Sequence, residues 1–291
     1  LPEVLMSQLR DENAGRHVGL RIMRIATHHA ARSRGLGSQL LSDIEAEFAD
    51  AVDWLGVGYG ATPELVRFWE ENGYGTVHLA TTRNETSGEY SVLMLRPTSA
   101  AGVELRDRHA EWFAGRIRDV LSDALTDMDP DVARAALRAC PAAPTTGRSL
   151  SDADWRLIGG AAYGPALYSV NPRPFRDLAL AHLIDGDPGL LDARQERLLV
   201  AKLLQQRPWP AVATDLEYHS PTTAMRSLGD TLKPLVDEYG TEAALSERER
   251  YVDGDGEGDG DGDGDRDGVG HGGGDGDGDR NGVGHGDGDG N

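Results

Sequence analysis

Up to about residue 100, short apolar stretches alternate with longer amphipathic ones. Residues 21–27 alternate apolar and polar positions with β-branched Ile22, Ile25 and Thr27, the period of a half-buried strand. A polar turn holding Gly35 and Gly37 follows. Leu40, Leu41, Ile44 and Phe48 then recur at helical spacing, predicting a helix over 38–50. Residues 52–57 read as a second strand, and Gly58-Tyr-Gly-Ala as its exit turn. Thr62-Pro63-Glu64 supplies an N-cap, a first-turn proline and a first-turn acid, so a helix starts there and stops at Asn72-Gly73. Two further strands are expected over 76–81 and 89–95, joined by a polar loop. Residues 2–16 read as a loop or short helix. This β-α-β-α-β-β order predicts a mixed α/β sheet with helices on its faces.

After Gly102 helical periodicity dominates, over 103–126, 131–140, 151–158, 174–184, 192–206 and 221–238, with N-caps expected near Ser149 and at Asp192. From about Ser246 the pattern disappears into an Asp-Gly repeat. The expected organisation is an α/β region over 1–100, a small mostly α-helical domain over 101–245, and a disordered acidic tail over 246–291. Two tail segments, from Asp263 and Asp277, match the first half of a calcium-binding loop. Gly274 and Gly288 stand where its bidentate glutamate belongs, so no metal site is expected.

Charge changes the picture in one place. The 291 residues carry a net charge of −20, of which −11 lies in 246–291, yet no Asp or Glu occurs between Asn13 and Ser42. Arg16, Arg21, Arg24, Arg32 and Arg34 all fall in that window. Strand, glycine turn and helix N-terminus together form an anion cradle, because free N–H groups and the positive helix end converge. The turn by itself is equally consistent with a ligand-free strand-to-helix connection. Lys202 and Lys233 are the only lysines, a composition resembling salt-adapted cytoplasmic proteins. It argues against nucleic-acid binding by the whole surface but leaves room for a local basic groove. The single cysteine, Cys140, excludes a disulfide framework and fits an intracellular, cytoplasmic location. No apolar run approaches a membrane span, so no membrane partner is expected. The first residue is leucine, and the chain reads as a C-terminal piece of something longer.

Arg32-x-x-Gly35-x-Gly37 resembles the acetyl-CoA-binding motif of the GNAT acyltransferase superfamily. Four blocks narrow the resemblance: Arg21-Ile-Met-Arg-Ile-Ala-Thr-His, Asp53-Trp-Leu-Gly-Val-Gly-Tyr-Gly-Ala-Thr-Pro-Glu-Leu, Arg67-Phe-Trp-Glu-Glu-Asn-Gly-Tyr and Thr86-Ser-Gly-Glu-Tyr. Together they resemble the tRNA(Met) cytidine acetyltransferase family over residues 1–100, and the helical region resembles its RNA-binding part more loosely. The resemblance implies a partial GNAT sheet and acetylation of cytidine N4 in RNA, typically at the wobble position of elongator tRNA(Met), with acetyl-CoA as donor. It also implies ATP, bound by an upstream module absent here, and an inactive isolated chain. Acetyl-CoA would lie between the strands at 22–27 and 52–57. Ile25, Ala26 and Thr27 would face its pantetheine, and Arg32, Ser33, Arg34, Gly35, Leu36, Gly37 and Ser38 its pyrophosphate. Glu64 matches a position near the cofactor, although the helix dipole explains an acid there equally well.

No catalytic residue is assigned. Trp69 stands where many superfamily members carry a proton-donating tyrosine and is expected in the core. Tyr59, Tyr74, His28 and His29 are the weaker candidates. Glu71 replaces an arginine that some members place near the cofactor. Arg67, Arg173, Arg176 and Trp209 are candidate RNA contacts. The alternatives are a GNAT enzyme acting on a protein or small-molecule amine, and a non-catalytic RNA-binding module.

Overall fold

The computed structural model describes residues 2–86, 88–142 and 150–252. The Asp-Gly segment from residue 253, and the N-cap expected at Ser149, lie outside the described residues. Four strands form one sheet in the order β1-β2-β4-β3: β1 Gly19–Ile22, β2 Trp54–Gly60, β3 Gly75–Arg83 and β4 Tyr90–Pro97. Helix α1 (Leu36–Phe48) connects the parallel pair β1 and β2, and α2 (Pro63–Glu71) leads from β2 to the β3–β4 hairpin. Central β4 runs antiparallel to both neighbours, from Trp54↔Pro97 to Gly60↔Ser91 on one side. This is the mixed sheet that the element order predicts.

Both side-chain sets of β4 are buried, as the helix-covered faces require. Tyr90, Val92 and Met94 join the main core, while Leu93 and Leu95 meet Trp54, Val77, Leu105 and Leu5 in a smaller one. Leu5 comes from the opening segment, a π-helical turn at Val4–Gln8 followed by a 3-10 turn at Glu12–Arg16. Asp11 anchors that segment: its carboxylate accepts from Arg108 at 2.7 Å and lies 2.9 Å from His109 Nε2.

Helix α3 (Ala100–Ser122), capped by Ser99, crosses β3 and β4 and buries Ala110, Phe113, Ile117 and Leu121. Beyond it lie α4 (Pro130–Arg138), α5 (Asp152–Tyr163), α6 (Pro172–Asp185), α7 (Ala193–Leu198), α8 (Trp209–Asp215), α9 (Pro221–Tyr239) and α10 (Glu242–Val252). Helix α7 continues into a π-helical stretch, Leu199–Leu204, whose side chains are all buried. One hydrophobic core runs from the sheet through α3 into these helices. Helix α10 extends past Ser246, where the sequence pattern ends, because Ala244 and Glu247 are buried where α10 runs beside α5. Among the described residues no helix is long and apolar enough to cross a membrane.

Candidate acyl-donor site

Strands β1 and β2 pair in parallel from Gly19↔Trp54 to Ile22↔Val57 and then part. β2 continues through Gly58, Tyr59 and Gly60, held on its other side by Leu93, Val92 and Ser91 of β4. Two expectations are thereby corrected. The first strand ends at Ile22 rather than Thr27, because residues 23–28 have no ladder partner. Gly58–Gly60 is strand rather than exit turn, because β4 supplies one. Ile25, Ala26 and Thr27 therefore follow the end of the ladder and leave the edge of β2 at Gly58–Gly60 without a strand partner on that side, a place where a gap can open. Ile25 keeps contact with the core, while Ala26 is exposed.

The chain then makes a tight passage into α1. His28 Nδ1 accepts from the Ala30 N–H at 3.3 Å, and Arg32 Nε donates to the Thr27 carbonyl at 3.3 Å. Ser33 and Gly35 have φ of 57° and 75°. Helix α1 starts at Leu36, two residues before the expected Ser38. Its N-cap is Gly35, which has no side chain to cap with, so the N–H groups of Leu36, Gly37 and Ser38 meet no protein acceptor among the described residues. Helices α2, α3 and α5 begin instead with Thr62, Ser99 and Ser151, whose hydroxyls accept from Leu65, Gly102 and Asp154. The first turn of α1 is thus left open to an anion.

Gly37 permits a close approach. A Cβ there would stand 3.1 Å from the Phe68 ring, so the first turn of α1 lies directly against α2. Glu64 lies one turn before Phe68 on α2, but its side chain is exposed, 3.8 Å from Arg67, and faces a cleft shared with α4 and α7. Among the described residues, the ion pair of Glu64 is with Arg67 rather than with a residue of the α1 turn.

The arginines of the acid-free window behave differently from most others in the chain. The side chains of Arg16, Arg21, Arg24 and Arg34 are exposed and make no ion pair or hydrogen bond among the described residues, and that of Arg32 bonds only to a carbonyl. By contrast, Arg83, Arg96, Arg108, Arg118, Arg134, Arg138, Arg197 and Arg207 each meet a carboxylate. Of the RNA-contact candidates, Arg173 is taken by Asp154 at 2.6 Å and Asp177 at 3.1 Å. Arg176 donates to the Arg118 carbonyl at 3.3 Å, and Trp209 lines a cavity.

Trp69 is 2% exposed, stacked on Tyr59 and edge-on to Tyr74, a core residue as expected. The Tyr59 hydroxyl donates to Met94 Sδ at 3.1 Å, and burial pushes its acidity far out of range. Tyr74 is buried with an unpartnered hydroxyl, and desolvation pushes it up to about 12. Burial keeps both hydroxyls protonated at neutral pH. His28 and His29 are exposed, ring centroids 4.2 Å apart. The Phe68–Gly37 contact and the positive φ of Ser33 escape sequence reasoning. The first needs the fold, and no residue preference marks the second.

The family description "GNAT acetyltransferase 2" matches residues 39–99. The chain is 61% identical over 251 residues to the tRNA(Met) cytidine acetyltransferase TmcA of Haloferax volcanii, covering 86% of this chain and 33% of that protein. It is 55% identical over 253 residues to the TmcA of Haloarcula marismortui, covering 87% and 32%. For the TmcA of Nitrosococcus halophilus the figures are 36% over 257 residues, 87% and 34%. The chain spans about a third of the length of these curated relatives.

Proposed function

We propose that this chain, a relative of the tRNA(Met) cytidine acetyltransferases along 251 of its residues, is the part of such an enzyme that receives acetyl-CoA and presents it to an RNA cytidine. Residues 1–100 serve as the acyl-transfer region and 101–252, to the end of α10, as the RNA-binding region; the protein acts in the cytoplasm. ATP belongs to a module outside this chain, and no step is assigned to it. The reading is carried by one observation: parted parallel strands lead into an uncapped helix N-terminus among arginines that have no acidic partner.

Acetyl-CoA supplies the thioester whose acetyl group is transferred. The backbone of Ile25–Thr27 and the open edge of β2 would hold its pantetheine. The N–H groups of Leu36, Gly37 and Ser38 would hold its pyrophosphate, with Arg32 and Arg34 adding charge. A cytosine amine is already neutral at pH 7, so no prior deprotonation is needed. The residues around the gap then act by positioning the amine, polarising the carbonyl and accepting a proton late. The cytidine must be unstacked to reach them. Nucleoside mass spectrometry of tRNA from a deletion strain tests the reading: N4-acetylcytidine should disappear, and unchanged levels would remove it. Calorimetry with acetyl-CoA separates an acyltransferase from a bare RNA-binding module.

A further inference from the structure

A cavity of roughly 730 Å³ lies between the C-terminal end of α5, the start of α8 and one face of α9. Its walls are apolar and aromatic, including Leu167, Tyr168, Trp209, Met225 and Leu228, and Arg226 stands at the rim. Two cations here lack acidic partners. Arg226 is exposed and makes no ion pair or hydrogen bond among the described residues. Lys202, 8% exposed, is carried by the π-helical stretch. Its ammonium donates to the Arg207 carbonyl at 2.8 Å and lies 4.7 Å from the Trp209 ring centroid and 5.6 Å from that of Tyr168. The acid in the wall, Asp230, is taken by Lys233 at 2.7 Å. In the cleft between α2, α4 and α7, by contrast, every arginine is matched by a carboxylate. In a chain this acidic, unmatched cations behind and beside aromatic walls complement an anion attached to a flat apolar group.

We propose that this cavity receives one unstacked nucleobase of a single-stranded RNA segment, Trp209 and Tyr168 meeting the base and Arg226 its phosphate. The inference rests on the RNA-acetyltransferase reading and adds a second contact with the RNA, in a different part of the fold from the acyl-donor turn. Base–aromatic contact is tolerant of sequence and is not screened by salt, whereas a phosphate contact is.

The test uses the full chain and a fluorescein-labelled decacytidylate RNA. Trp209→Ala should weaken binding by about ten-fold or more, and Trp209→Phe should recover most of it. Arg226→Glu should weaken binding about ten-fold in 0.1 M salt, an effect that fades in 2 M salt while that of Trp209→Ala persists. Met225→Glu, on the exposed wall, gives the same loss should Trp209→Ala fail to fold. RNA carrying 5-iodocytidine should photocrosslink to Tyr168 or Trp209. Unchanged affinity in both the Trp209 and Met225 variants, or crosslinks confined to residues 16–38, overturns the cavity while leaving the acetyltransferase reading intact. A wild-type chain that binds acetyl-CoA but no RNA also overturns it, and one that binds neither removes both.

Discussion

Gly35 holds its φ of 75° with open space where a side chain would stand, so conformation and charge, rather than collision, decide what replaces it. Gly35→Ala should cost about 1 kcal/mol through the left-handed backbone alone. Gly35→Asp adds a carboxylate at the open end of α1 and should lower acetyl-CoA affinity by at least about ten-fold, read by calorimetry against Gly35→Asn as the conformational control. An Asp variant with undiminished affinity would mean that the anion binds elsewhere. Gly35, Gly37 and the arginine window were legible because each has a compositional signature. Ser33 at φ 57° and the Arg32–Thr27 bond were not, since any polar loop could hold those residues.

Elements defined by local chemistry are readable, and those defined by a partner are not. Thr62, Pro63 and Glu64 announce α2 whatever surrounds it. Ile25 and Thr27 alternate like a strand but lack a ladder, and Gly58–Gly60 looks like a turn but has one. Thr62→Ala removes the hydroxyl that accepts from Leu65 and should destabilise the fold by about 1 kcal/mol in urea titration. The junction of α4, α6 and α7 was invisible for the same reason. There Glu196 of α7 accepts from Arg134 at 2.6 Å and from Arg138, with fully buried His182 of α6 at 3.6 Å. Burial alone would raise the Glu196 pKa, but bonds from His182 and Arg138 and the charges of Arg138 and Arg134 hold it down at about 2. The unfolded chain then binds this proton first, so the stabilisation is complete above the ordinary glutamate value of 4.5 and is lost as pH falls towards 2. Melting temperatures across that window should fall in the wild type and flatten in Glu196→Gln. Glu196→Ala should cost about 3–5 kcal/mol at pH 7, because two arginines lose their buried counter-ion.

For the whole molecule, the mostly helical region expected after residue 100 is present from α3 to α10. What the sequence pattern did not reveal is how that half is joined to the sheet. Phe113, Ile117 and Leu121 of α3 share one core with Val92 and Met94 of β4 and with Leu125, Met128 and Leu203 beyond it. We expect residues 2–252 to unfold in a single calorimetric transition, with acetyl-CoA raising the melting temperature of the whole. Two separated transitions would show instead that the sheet and the helices fold apart. Helix α3 is therefore a party wall, and its sequence answers to the rooms on both sides. In chimeras between two relatives of this chain, a crossover at residue 100 should fail where α3 comes from one parent and the sheet from another. Moving α3 together with both of its neighbours should restore a soluble protein.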